Sequence, residues 1–199
     1  MGTEKYSFER FLNVRSAYNP TFSPDGQKLC FLTDITGVAE VWSVPVNMQA
    51  ARPAWPEQLT FRGERNTNVV YSPCADLLLV AGDVGGNERH QLFLLSADGS
   101  NCQTLTSRPD VVHLCGSWSP DGTRIVYSSN ARDSRFFDVY ELTLKTGDTR
   151  VLLCSDDTNY VQNYSPDGRY VLVTRMLSNT RNLLLLVETA TGEVRNVTP

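Results

Sequence analysis

Two histidines, His90 and His113, are the only imidazoles in the chain, so any histidine-assisted chemistry must pass through them. Nucleophilic catalysis also needs a serine, threonine or cysteine held within hydrogen-bond reach of such a base. In α/β-hydrolases that serine sits on a G-x-S-x-G turn. No G-x-S-x-G occurs in this sequence. The nearest string is Gly116-Ser117-Trp118-Ser119-Pro120, with proline where the last glycine belongs. No catalytic residue is therefore expected, and both histidines are assigned structural or surface roles. No metal site is expected either. The sequence has no histidine pair at ligand spacing and no Asp-x-Asp loop, and Asp156-Asp157 reads as a solvated connection. No cofactor is expected.

Charged side chains offer binding rather than catalysis. Glu88 and Arg89, then Arg132, Asp133 and Arg135, then Arg175 and Arg181, recur in polar stretches between apolar runs. Several guanidinium groups brought together could hold a carboxylate through paired N–H···O bonds. The alternative is ordinary solvated loop charge, which contributes little energy. The binding candidates are Glu88, Arg89, Arg132, Arg135, Arg175 and Arg181. The five cysteines, Cys30, Cys74, Cys102, Cys115 and Cys154, include no C-x-x-C pair, and most lie among apolar residues. They are expected to be buried free thiols in a reducing compartment.

What would position these residues is a repeat. Ser-Pro-Asp-Gly occurs at Ser23–Gly26, Ser119–Gly122 and Ser165–Gly168, with a degenerate Ser72-Pro73-Cys74-Ala75 between. The four prolines are spaced 49, 47 and 46 residues apart, and Phe22, Tyr71, Trp118 and Tyr164 precede the copies. Proline fixes φ, Asp bonds the local backbone and Gly takes the left-handed conformation, so each tetrad reverses a strand. In the second copy Ala75 or Asp76 must take the strained position, or the turn must differ.

An apolar run follows each turn: Lys28 to Leu32, Leu77 to Ala81, Arg124 to Tyr127 and Tyr170 to Val173. A third strand is expected at Val41 to Val44, Leu92 to Leu95, Val139 to Leu142 and Leu183 to Val187. A short fourth strand closes each unit. Runs without clean alternation indicate sheets covered on both faces. The expected fold class is all-β: a β-propeller of four consecutive four-stranded antiparallel blades, forming part of a larger propeller. The blades are placed at 15–62, 63–108, 109–155 and 156–199. The one helix the pattern admits lies around Phe8 to Val14. In such blades the candidate charges share one rim with the blade-to-blade connections.

The units resemble the WD-repeat-like blades of TolB-like propellers and of the N-terminal propellers of the prolyl oligopeptidase family of serine peptidases. Two features lean toward the peptidases. Asp83-Val84-Gly85-Gly86-Asn87-Glu88-Arg89-His90-Gln91-Leu92-Phe93 is similar to an acidic, glycine-containing hairpin of acylaminoacyl-peptidase-like members. Arg15 to Asn19 also leads straight into Pro20-Thr21-Phe22 and the first tetrad. The resemblance implies a non-catalytic propeller that limits access of short peptides to an α/β-hydrolase domain absent from these residues. The expected partners are that hydrolase domain or further blades of the same parent protein, and short peptides. A free-standing TolB-like scaffold that binds proteins is the alternative.

Composition narrows the remainder. Net charge is -4, which argues against a nucleic-acid partner. No apolar run approaches the roughly 18 residues of a membrane span, so no membrane partner is expected. The opening residues lack a signal-peptide core, and the cytoplasm is the expected location. The sequons at Asn163 and Asn196 then read as chance matches. In an open arc the end blades would expose Leu29 to Leu32, and Val171 to Val173 with Leu183 to Leu186. Self-association is expected to cover them.

Overall fold

A computed structural model describes residues 13–46 and 54–198. Residues 8–12 of the expected Phe8 to Val14 helix lie outside the described residues, and Asn13 and Val14 are not helical. Among the described residues the protein is all-β, with sixteen strands and no helix.

The strands form four antiparallel meanders in chain order. The first contains β1 (Ala17–Phe22), β2 (Lys28–Thr33), β3 (Glu40–Pro45) and β4 (Glu57–Gln58). The second contains β5 (Asn66–Tyr71), β6 (Leu77–Gly82), β7 (Gln91–Ser96) and β8 (Cys102–Thr104). The third contains β9 (His113–Trp118), β10 (Arg124–Asp133), β11 (Phe136–Thr143) and β12 (Thr149–Leu153). The fourth contains β13 (Thr158–Tyr164), β14 (Tyr170–Ser178), β15 (Arg181–Glu188) and β16 (Val194–Asn196). A single parallel bridge, Phe137 to Thr158, links the third sheet to the fourth.

The tetrads make the first turn of their sheets. Ser23 Oγ donates to Asp25 and accepts the Lys28 N–H at 2.9 Å, while Asp25 accepts the Gln27 N–H at 3.0 Å. Ser119 and Ser165 repeat this arrangement with Asp121 and Asp167. The Ser119 hydroxyl, helped by Thr123, holds the Asp121 carboxyl down at about 2. In the second sheet no residue of the turn adopts positive φ. There Leu77 N–H donates to Ala75 O at 2.8 Å, and Asp76 instead accepts the Tyr71 hydroxyl at 2.8 Å.

Apolar residues on both faces of a strand reflect two covering neighbours. Leu78 and Val80 of β6 join a cluster with Cys30, Leu32 and Val41 of the first sheet. Their neighbours Leu79 and Ala81 join Trp118, Ile125 and Tyr127 of the third. Val126 and Val139 in turn meet Val171, Val173, Leu185 and Val187 of the fourth. Burying each such side chain stabilises by roughly 1.5–3 kcal/mol. The three clusters each join successive sheets. On the far face of the fourth sheet, Leu172 and Leu186 are half-buried and Leu184 is exposed. Only alternate residues of the runs expected to be open are therefore uncovered, because Val171, Val173 and Leu185 face the third sheet.

Two other expectations change. The second and third strands of the last two sheets are longer than their apolar runs, since the ladder continues to Asp133–Phe136 and Ser178–Arg181. The five thiols are free, but Cys74, Cys102 and Cys154 are exposed. Cys102 lies on an outermost strand, and Cys74 and Cys154 lie outside the strands, Cys74 against Pro120 in the turn of the third sheet.

Candidate binding rim

The hairpins between second and third strands meet the connections between sheets on one rim. The contacts show it: Arg62 of the first connection bonds Asp83 O at 2.7 Å, and Arg132 bonds Ser155 O at 2.6 Å.

A recurring device fixes this rim. The residue just before the apolar run of each third strand is polar in the first three sheets: Glu40, Gln91 and Asp138. All three are buried, and each accepts a backbone N–H from the following connection. Gly63 donates to Glu40 at 2.8 Å, Arg108 to Gln91 at 3.1 Å and Ser155 to Asp138 at 3.1 Å. The entry of the next sheet is tied down as well. Asn66 Nδ2 donates to Ala39 O at 3.0 Å, and Asn159 Nδ2 donates to Phe137 O at 2.8 Å. His113 stands at the same repeat position, seven residues before its tetrad proline. Its backbone N–H reaches His90 O at 2.9 Å, but both ring nitrogens are buried and unpartnered. Burial pushes its pKa down to about 4, so the ring is neutral at ordinary pH.

The candidate charges take several positions on this frame. Arg132 and Asp133 lie in β10, Arg175 in β14 and Arg181 in β15, rather than in loops. Arg132 pairs through two nitrogens with Asp138, at 2.7 and 3.2 Å, and reaches Asp156 at 3.2 Å. The hydrogen bond to Asp138 raises its pKa. Arg135 pairs with Asp133 at 2.8 Å and stands 4.9 Å over the Phe136 ring. That pairing holds the Asp133 carboxyl well below the usual carboxylate range. Arg175 Nε donates to Asn159 Oδ1 at 2.9 Å and lies 3.6 Å from Asp157. Arg181 is exposed at the tip of its hairpin. Glu88 and Arg89 are exposed in the β6–β7 hairpin, Glu88 at φ 58°, and Arg89 N–H donates to Asn87 at 2.8 Å. That hairpin is anchored by Glu64, which accepts the Gly85 and Gly86 N–H groups at 3.0 and 3.2 Å. The structure thus brings Arg132 and Arg135 onto one hairpin, each matched to its own carboxylate.

His90 Nε2 lies 3.2 Å from Asp83 Oδ1. Among the described residues no hydroxyl hydrogen-bonds to either histidine ring. No group of three or more His, Cys, Asp or Glu side chains is placed to hold a metal ion among the described residues. Two features escaped the sequence reading: the Glu40, Gln91 and Asp138 clamps, and the seating of Arg62. Aligning the repeats would have found the clamps as a polar residue preceding each apolar run.

No protein-family model matches the chain. Over 174 residues it is 32% identical to dipeptidyl aminopeptidase BIII of Pseudoxanthomonas mexicana, covering 86% of this chain and 24% of that protein. A TolB-like structure from Agrobacterium tumefaciens superposes with a TM-score of 0.73 at 22% identity, covering 94% of this chain and 62% of that one. A puromycin-hydrolyzing peptidase of Mycobacterium tuberculosis gives a TM-score of 0.69 at 16% identity, covering 91% of this chain and 28% of that one. The chain therefore spans about a quarter of the length of the peptidases it matches. By sequence the chain is similar to part of a dipeptidyl aminopeptidase, and its fold is that of segments of TolB-like proteins, a puromycin-hydrolyzing peptidase and prolyl endopeptidases.

Proposed function

We propose that this chain is the non-catalytic propeller portion of a prolyl-oligopeptidase-like serine peptidase, gating access of short peptides to a hydrolase domain elsewhere in the parent protein. The observation that carries this reading is the match to the dipeptidyl aminopeptidase along 86% of the chain, in a sequence without a nucleophile elbow. Four consecutive blades form an arc of a larger ring. Leu172, Leu184 and Leu186 then face the next blade, or in isolation a second copy. The rim charges Glu88, Arg89, Arg132, Arg135, Arg175 and Arg181 border the path of a peptide terminus. Five free thiols suit a reducing cytoplasm.

The TolB-like likeness favours a second reading, a scaffold that binds other proteins. The coding sequence following residue 199 separates the two. A G-x-S-x-G followed by Asp and His is expected for the peptidase. A stop codon there would overturn the peptidase reading and support the scaffold.

A further inference from the structure

We propose that a cleft beside Arg62, between the β6–β7 hairpin and the end of β8, binds a carboxylate carried on an apolar body. The cleft has a volume of about 350 Å³ and is lined by Arg62, Val84, Asn87, Gln91, Phe93 and Thr104, among others. That volume suits a small organic molecule. Val84 and Phe93 supply apolar wall, Asn87 supplies an amide and Arg62 supplies the charge, while the Gln91 amide is already held by Arg108 and Val111.

Three observations make Arg62 a built seat rather than a stray surface cation. Its guanidinium carbon stands 3.8 Å over the Phe93 ring. Nη1 donates to Asn66 Oδ1 at 2.9 Å and Nη2 to Asp83 O at 2.7 Å, which fixes the plane of the group. Gly82 leaves room for it: a Cβ there would lie 2.8 Å from Nη1 and 2.8 Å from Arg65 O. Gly82 does not have positive φ, so close approach, not backbone conformation, favours glycine at this strand end.

Arg62 makes no direct salt bridge, although the carboxylates of Glu40, Glu64 and Asp83 lie near enough to act on its charge. Three described arginines are half-buried: Arg62, Arg124 and Arg175. Arg124 meets Glu141 at 3.2 Å and Arg175 meets Asp157 at 3.6 Å. No carboxylate among the described residues lies within salt-bridge distance of Arg62, and burial pushes its pKa down. Two nearby acids are committed elsewhere, Glu40 to Gly63 and Asn66 and Glu64 to Gly85 and Gly86, while Asp83 Oδ1 lies 3.2 Å from His90 Nε2 but has no hydrogen-bond partner. Two of the five guanidinium N–H donors are used, so the others remain for a ligand. A half-buried cation beside an aromatic wall is best completed by an anion whose body covers the apolar surface. The proposal does not rest on the peptidase reading, because it uses no residue of a hydrolase domain.

The test is titration calorimetry of the whole chain with N-acetyl-L-phenylalanine, its amide, and acetyl-Gly-Gly-Phe with a free C-terminus. The acid should bind saturably and the amide at least about tenfold more weakly, as loss of a charge-assisted hydrogen bond implies. Arg62→Met, which keeps an apolar cover over Phe93, should lose a similar factor. Val84→Glu, which leaves the seat intact but sets a negative charge at the cleft, should also weaken the acid, and it reads the site even if Arg62→Met fails to fold. Binding of the tripeptide as tight as that of the acid would assign a peptide C-terminus, and its exclusion would assign a small free acid. No saturable binding of either acid, equal binding of acid and amide, or acid affinity unchanged in the variants would overturn the proposal.

Discussion

Asp138 accepts the backbone N–H of Ser155 at 3.1 Å while the same carboxylate holds Arg132. One buried side chain thereby joins a third strand, its hairpin and the connection to the next sheet. Gln91 does the same between the second and third sheets, bonding Arg108 N–H, Arg108 O and Val111 O. In the fourth sheet the residue at the matching register position, opposite Arg175 as Asp138 is opposite Ser129, is Leu183, whose side chain cannot accept such a bond.

Removing a clamp should therefore cost more than removing a rim charge. Gln91→Ala leaves buried backbone groups unpaired and is expected to cost about 2–3 kcal/mol. Arg135→Ala removes an exposed pair and should leave stability nearly unchanged. Urea unfolding with an unchanged m-value checks both.

His113 makes an acid-sensitive seam. Its folded pKa of about 4 is below the ordinary 6.5, so the folded state binds fewer protons than the unfolded state. Its stabilising contribution is complete above pH 6.5 and is lost as pH falls toward 4. His113→Asn should remove roughly 1–3 kcal/mol of this pH dependence. It should also supply the amide that Asn66 and Asn159 use at this position. Melting curves of parent and variant from pH 7.5 to 4 should diverge as pH falls; parallel curves would refute this.

The tetrad glycines should differ in cost. Gly26 sits at φ +69° with nothing near a prospective Cβ, so Gly26→Ala should cost about 1 kcal/mol from backbone strain alone. At Gly122, φ +67°, a Cβ would also meet Cys74 Cβ and Ser72 Oγ at 3.2 Å. Gly122→Ala should cost more, measured by the same unfolding assay.

The far face of the fourth sheet should drive association of the isolated chain. Light scattering should show mass increasing with concentration, and Leu184→Glu with Leu186→Lys should suppress the increase. A monomer in both would show that this face tolerates water.

Turn chemistry and the two-sided burial of the inner strands were readable because the tetrads recur at a near-constant period and fix where each strand begins. The hairpin extensions were not, because Ser129 to Arg135 and Arg175 to Arg181 are mostly polar and lie beyond the apolar runs, where the ladder continues with bulges. The charges on them could be counted from sequence, but their pairing could not. Arg132 and Arg135 meet Asp138 and Asp133 only once the hairpin has folded back. Arg62 lies in a connection without a motif, and its seat joins Asn66 and Asp83 at two strand ends to Phe93 within β7.

Fluorophosphonate labelling of the full gene product, with the labelled peptide mapped, tests the central claim most directly. The account predicts a single labelled serine outside residues 1–199, and none when these 199 residues are expressed alone. A labelled serine within residues 1–199, or a full gene product that takes no label, would contradict it.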